Sequence, residues 1–185
     1  MNTLLTPEQR MSIKERANAI LKKHGDVADR KSLLLRIAQD NGIEVREADL
    51  FDISGTLRCE NDHWRIYVNR QDSSTRQLFT LAHELGHYFL HKDSRSEFID
   101  GGFVLHREEA TKYEIEEVEA NEFAANLTMP EEAIVRRIGD VRAVSAQNVT
   151  ELAREFGVSL PAMAVRLHNI GYGVPDKPTS ERRAA

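Results

Sequence analysis

The sequence contains one cysteine, Cys59, so the chain cannot form an internal disulfide bond, which suits a reducing cytoplasm. It has no apolar run of roughly 18–20 residues, the length that a membrane-spanning helix needs. Its first ten residues reach charged side chains too soon for a signal peptide. A net charge of -5 argues against broad attraction to nucleic-acid phosphates or anionic membranes. We therefore expect a cytoplasmic protein that makes no direct contact with nucleic acid or membrane.

The composition predicts a folded chain with a core of its own. Of its 185 residues, 41% are hydrophobic and 30% are charged, which is typical of a globular domain. We expect a single domain over residues 1–170, with a helical C-terminal subdomain over about 131–170. The segment 171–185 is rich in proline and charge and is predicted to be a disordered tail.

Hydrophobic periodicity and capping signals predict an α+β fold. A small antiparallel sheet is expected to pack against one strongly apolar helix, with additional helices at both ends of the chain. The segment Trp64 to Asn69 is interpreted as an edge strand, which either packs in the sheet or pairs with an extended peptide. Helices are expected over about 7–24, 29–41, 74–92, 113–128 and 131–169, strands over 43–46, 53–58 and 63–69, and a long loop over 93–112.

The segment His83-Glu84-Leu85-Gly86-His87 has the pattern of a zinc hydrolase. Residues four apart lie on one face of a helix, so His83 and His87 can hold one cation. Glu84 lies beside them and can take a proton from a water activated by the metal. The surrounding helix is apolar around most of its circumference and is therefore expected to be buried. Gly86 costs about 1 kcal/mol of helix propensity, which predicts close approach of another backbone or a ligand.

A catalytic zinc site needs a third protein ligand, and the predicted helix over 113–128 offers two glutamates. Glu117 is preferred because it shares a face with Ala120 and Asn121. The alanine permits close helix packing, and the asparagine can orient a ligating histidine through a hydrogen bond. Glu119 is the alternative, on a face with Glu122 that is expected to be more exposed to solvent.

Four further side chains are weaker candidates. His91 lies one turn beyond His87, and we interpret it as a packed histidine near the helix end rather than a residue that supports the metal site. Tyr88, Tyr113 and His168 are candidates for stabilising an oxyanion. The sequence does not select among them, and each alone is better explained by structure.

The segment 149–167 has the outline of a helix-turn-helix. However, the second helix would begin Leu160-Pro161-Ala162-Met163, and none of these side chains can read base edges. The acidic balance of the chain also gives little affinity for phosphates. We therefore favour a packing subdomain over a DNA-binding element.

Two segments resemble the motifs of the ImmA/IrrE family of metallopeptidases: residues 79–91, with the sequence Phe-Thr-Leu-Ala-His-Glu-Leu-Gly-His-Tyr-Phe-Leu-His, and residues 117–130. The resemblance implies a zincin-like fold and endopeptidase activity. It implies that His83, His87 and the glutamate of the second motif hold the metal, with Glu84 as the base. Zinc is the expected ion and manganese the alternative.

The resemblance also implies a substrate, since members of the family cleave helix-turn-helix repressors. The chain is too short for the C-terminal sensory domain of the radiation-response members and is similar to the short type. From a different class of function, the alternative is a catalytically weak zincin scaffold that binds a repressor or a toxin–antitoxin partner. The intact Glu84 favours the enzyme, because a pure binding protein needs no general base.

Overall fold

The computed structural model describes residues 5–25, 29–99, 107–139 and 143–174, without the side chains of residues 99 and 107–113. Within these ranges the fold is α+β, as expected. The helices are α1 (Pro7–His24), α2 (Arg30–Asp40), α3 (Ser74–His91), α4 (Arg107–Thr128), α5 (Glu131–Ile138), α6 (Ala146–Phe156) and α7 (Leu160–Asn169). The strands are β1 (Glu44–Ala48), β2 (Gly55–Glu60), β3 (His63–Asn69) and β4 (Glu97–Ile99).

The ends of the helices follow the local sequence closely. The Thr6 side chain caps α1 in a reciprocal capping box with Gln9, and proline occupies the first turn. Helix α3 begins at Ser74, where the expected helix begins, and Ser73 is its N-cap. The Gln77 side chain donates a hydrogen bond to the backbone oxygen of Asn69 at 3.1 Å.

The sheet is mixed, with the order β1-β3-β2-β4, so the expectation of an antiparallel sheet is wrong for one pair of strands. Strands β2 and β3 form an antiparallel hairpin whose turn residues, Asn61 and Asp62, both have positive φ. The chain reverses between β1 and β2 and again between β2 and β3. Strand β1 therefore runs parallel to β3, against its free side.

This order also corrects the interpretation of Trp64 to Asn69 as an edge strand. Strand β3 is bonded on both sides, to β1 and to β2, so it has no free edge for a peptide. Among the described strands, β1 and β4 are the edges. Strand β4 and the first turns of α4 fall in the segment 93–112 that was expected to be a loop.

Helix α3 lies at the centre of the fold, between the sheet and α4, and is buried around most of its circumference. Leu78, Leu81 and Leu85 are at most 4% exposed. Helices α5, α6 and α7 follow α4, and Val144, before α6, donates a backbone hydrogen bond to Gly173, after α7, at 2.9 Å. Residues 175–185 of the predicted tail lie outside the described residues.

Candidate metal centre

His83 and His87 lie one turn apart on α3, and both point into the interior. Their Nε2 atoms are 2.9 Å apart, and the residues are only 4% and 1% exposed. The spacing follows directly from the helical repeat, which places positions i and i+4 on one face. The two imidazole nitrogens therefore converge on a single point, as the sequence predicts.

Gly86 allows α4 to approach this face closely. A Cβ atom built on Gly86 would lie 3.0 Å from both the Cα and the backbone oxygen of Ala120. Because Ala120 is fully buried, that space is not available to a side chain. The glycine thus marks a close approach of two helix backbones, which confirms the expectation.

Glu117, on α4, brings a carboxylate to the same point. Its Oε2 lies 3.2 Å from Nε2 of His83, and its Oε1 lies 3.1 Å from Nε2 of His87. Ligand atoms about 2.0–2.2 Å from a tetrahedral zinc ion are about 3.3–3.6 Å apart, so atoms at these spacings can all reach one ion. The Glu117 side chain is 20% exposed, which leaves the group open to solvent on one side. His83, His87 and Glu117 could therefore hold a metal ion.

The electrostatics of the group favour the protonation states that bind a cation. Burial disfavours the charged imidazolium and lowers the pKa of His87 to about 4. Burial alone would raise the pKa of Glu117, but its contacts with the imidazoles of His83 and His87 outweigh burial and hold that pKa well below its usual range. At neutral pH, His87 is therefore neutral and Glu117 is ionised.

Asn121 supports His83 from behind, as the sequence predicts. Its Oδ1 lies 3.1 Å from Nδ1 of His83. An amide oxygen only accepts hydrogen bonds, so Nδ1 of His83 carries the proton. The lone pair of that imidazole is then on Nε2, the atom that faces Glu117.

His91 and Glu119 have a different arrangement from the one expected. The Nδ1 atoms of His91 and His87 are 3.3 Å apart, and Nε2 of His91 lies 2.8 Å from Oε2 of Glu119. His91 therefore contacts His87 rather than only packing near the helix end. Glu119, the alternative ligand, contacts His91 instead of the group formed around Glu117. Sequence reasoning missed this pair because it depends on how α3 and α4 cross.

The face of α4 that carries Glu119 is also less exposed than expected. Asn126 is 1% exposed, and the Glu122 side chain is 15% exposed. Arg10 of α1 reaches Glu122 at 2.6 Å, and Arg166 of α7 reaches it at 3.7 Å. The two guanidinium groups offset the charge of the Glu122 carboxylate, so this acidic face of α4 can be covered by other helices.

Glu84 is fully buried beside the two histidines, on the side of α3 that meets the sheet. A Cβ atom on Gly55 of β2 would lie 2.9 Å from Oε1 of Glu84 and 2.3 Å from Cγ2 of Thr80. The strand passes so close that only glycine leaves room for this carboxylate. The backbone of Gly55 therefore forms one wall of the space around the Glu84 carboxylate.

Of the three oxyanion candidates, Tyr88 and His168 do not join this group. The Tyr88 hydroxyl donates to the backbone oxygen of Asn41 at 3.4 Å, and its ring packs edge-on against Trp64. His168 is exposed on α7. The side chain of Tyr113 lies outside the described part of the molecule.

The segment 149–167 forms two helices joined by a short turn, with Gly157 in the left-handed conformation at φ 67°. The buried side of α7 is attached to α4: Arg166 donates to Asn126 Oδ1 at 2.8 Å and to the backbone oxygen of Met129 at 3.0 Å. The exposed side of α7 presents Leu160 and Val165. These contacts favour the packing role over recognition of DNA.

A mixed sheet against a buried helix with two histidines, and a glutamate from the next helix, defines the zincin-like class of metallopeptidase folds. The family model described as the IrrE N-terminal-like domain, a peptidase family, matches residues 38–168. The chain therefore belongs to the ImmA/IrrE family.

The chain is similar to two known proteins. Metallopeptidase ImmA of Bacillus subtilis (strain 168) is 33% identical over 82 residues, which cover 43% of this chain and 44% of ImmA. A solved structure described as a Mycobacterium tuberculosis transcriptional regulator has a TM-score of 0.63 at 18% identity, over 86% of this chain and 50% of that one. The chain thus spans about half the length of each, and the second likeness concerns the fold alone. Among the described helices, none is long and apolar enough to cross a membrane.

Proposed function

We propose that the protein is a zinc-dependent endopeptidase. The observation that carries the proposal is the convergence of His83, His87 and Glu117 at spacings that fit one tetrahedral ion. We assign these three residues as the metal ligands, with zinc as the ion and manganese as the alternative. When bound, zinc supplies the acidification of water and the polarisation of a carbonyl that peptide hydrolysis requires.

Glu84 is proposed as the general base. Its carboxylate is fully buried on the helix that carries both histidines, one residue after His83, and its proposed role is to accept a proton from the attacking water and pass it to the leaving amine. The close strand at Gly55 limits where this carboxylate can lie. Asn121 holds His83 with its Nε2 lone pair towards the ion.

The proposed substrate is an intracellular regulatory protein of the helix-turn-helix repressor class, which would place the enzyme in the cytoplasm. Family membership supports this class. A cavity of about 440 Å³ between α3, α4 and α7 also supports a protein substrate, because it is lined largely by apolar side chains such as Phe79, Val118 and Val165. Asn121, which contacts His83, forms part of the same wall. In this proposal residues 1–170 act as one domain, and 131–170 form its helical C-terminal part.

The test uses Glu84→Gln and His83→Ala in the full chain. Each variant is mixed with zinc and a small helix-turn-helix repressor, taken from the neighbouring gene if that gene encodes one, and scission is followed by mass spectrometry. Wild type is expected to cut the repressor, Glu84→Gln to bind zinc without cutting it, and His83→Ala to lose both zinc and cleavage. Cleavage by Glu84→Gln at the wild-type rate would refute the assignment of the base. If wild type binds the repressor but leaves it intact, the scaffold alternative is favoured.

A further inference from the structure

His91 is buried among polar groups and has a contact at each ring nitrogen. It is 7% exposed, with Nδ1 against Nδ1 of His87 at 3.3 Å and Nε2 against Glu119 at 2.8 Å. His87, His91 and Glu119 therefore form a continuous row. The row ends at the helix α4 that also carries the proposed ligand Glu117.

The hydrogen-bond roles within this row follow from the chemistry of its ends. A carboxylate only accepts, so Nε2 of His91 must carry the proton that it shares with Glu119. Nδ1 of a neutral His91 then has a lone pair, and only His87 can supply the proton between the two rings. His87 is thereby protonated on Nδ1, and its lone pair is on Nε2, which faces Glu117 at 3.1 Å.

Phe98 of β4 holds the two rings in this arrangement. Its ring stacks on His87 with the centroids 4.7 Å apart and the planes 18° apart, and it also contacts His91 at 6.2 Å. Phe98 is 1% exposed, so its own position is fixed by packing. Rotating the His87 ring away from His91 would require the stacked faces of His87 and Phe98 to separate.

We propose that His91 and Glu119 are positioning residues that orient His87 for the metal. The inference rests on the proposed metal site and deepens it. It gives the two histidine ligands different supports: a neutral amide, Asn121, for His83, and a carboxylate acting through a second imidazole for His87. Carboxylates and carbonyls behind a ligating histidine typically change metal affinity by about 10–100-fold.

The test compares His91→Asn with His91→Leu, two side chains of similar size and shape that differ in polarity. In the asparagine variant, Oδ1 replaces Nδ1 of His91 and can accept the same proton from His87, as Asn121 does for His83. Leucine fills the space but accepts nothing. Zinc affinity of the metal-free full chain is measured by competition with a coloured chelator, and thermal unfolding of the metal-free protein is measured in parallel.

If His91 is a positioning residue, His91→Leu weakens zinc binding by about 10–100-fold and His91→Asn recovers most of the loss. If the role of His91 is only to pack, the order of the two variants reverses, and His91→Asn is the more damaging one. Burying an amide without a full set of hydrogen-bond partners costs more free energy than burying leucine. His63, exposed on β3, provides the matched control, and His63→Leu is expected to bind zinc as wild type does. Wild-type affinity in His91→Leu overturns the proposal.

Glu119→Leu gives a second readout that leaves both histidines of the row unchanged. The Glu119 side chain is 22% exposed, so the variant is expected to fold, and its zinc affinity should fall by roughly 10-fold. Unchanged affinity would remove Glu119 from the proposal. Failure of the metal site itself has a different signature: wild type would then bind no zinc, or His83→Ala would bind it as tightly as wild type.

Discussion

Replacing Gly86 by alanine tests the close approach of α3 and α4. The new Cβ atom would meet the Cα and backbone oxygen of Ala120 at 3.0 Å and its Cβ at 3.3 Å. These neighbours are mainly backbone atoms of a buried helix, so they cannot move aside as the end of a flexible side chain can. The helices would have to separate.

Two effects of opposite sign determine the change in stability. Alanine is favoured over glycine inside a helix by about 1 kcal/mol. Inserting a methyl group into a tightly packed site costs about 1–3 kcal/mol. Because the contact at Gly86 is with backbone, we place the cost at the upper end of that range. The net expectation is a loss of about 1–2 kcal/mol, which lowers Tm by roughly 2–8 °C for a domain of this size.

The assay is thermal unfolding of the metal-free protein followed by circular dichroism, together with zinc titration. Zinc binding is expected to weaken as well, because Glu117 lies one turn before Ala120 on the displaced helix. Ala120→Gly removes only the contact at 3.3 Å, so adding it to Gly86→Ala should restore only part of the lost stability. A higher Tm for Gly86→Ala than for wild type would show that the gain in helix propensity exceeds the cost of the contact with Ala120. That result would refute the packing argument.

Four further outcomes are expected. Gly55→Ala should destabilise the protein by about 1–3 kcal/mol, because its Cβ would lie 2.3 Å from Cγ2 of Thr80. The metal-free protein should lose stability as pH falls from about 6.5 towards 4, because the pKa of His87 is lowered to about 4 and the unfolded chain binds the proton first. Zinc at 100 times its Kd should stabilise by about 2.7 kcal/mol, and a chelator should reverse this. Arg166→Met should cost about 3 kcal/mol, since it leaves the buried Asn126 oxygen without its donor at 2.8 Å.

Each of these outcomes has a measurement that could contradict it. Unfolding in urea at pH 7 and pH 4.5 gives the pH dependence, and equal stability at both would exclude a neutral buried His87. Thermal unfolding measures the stability changes for Gly55→Ala, for the addition of zinc and for Arg166→Met. An unchanged Tm for Gly55→Ala would mean that β2 can shift away from α3, and an unchanged Tm on adding zinc would mean that the folded chain binds none. The control for Arg166 is Arg36→Met, an exposed position where a change within about 0.5 kcal/mol is expected.

The sequence predicts the parts of the site that depend on local geometry. Because the helical repeat is fixed, four-residue spacing alone places His83 and His87 on one face. Gly86 signals a close approach because a glycine inside a helix costs stability. Asn121 was expected to support a histidine because it lies one turn from Glu117 on the same face. All three arrangements are present in the structure.

What the sequence does not predict depends on contacts between distant segments. Alternation of apolar and polar residues predicts that β3 is a strand but not which strands lie beside it, so its central place was missed. The His91–Glu119 contact joins positions 28 residues apart and depends on the crossing of two helices. A helical wheel of α4 also does not show that Arg10 of the N-terminal helix α1 contacts Glu122, which is why the Glu122 face was expected to be exposed.

The contacts of α4 fall into two groups. Glu117 is the proposed ligand, and Asn121 and Glu119 contact the imidazoles of His83 and His91 on α3. Glu122 lies between Arg10 of α1 and Arg166 of α7, which hold the helix by charge. Arg166 also bonds to the backbone at the end of α4, so a shift of α7 must pull on the helix that carries the site. The C-terminal helices therefore act as a support for α4, which accounts for a helix-turn-helix outline that needs no nucleic acid.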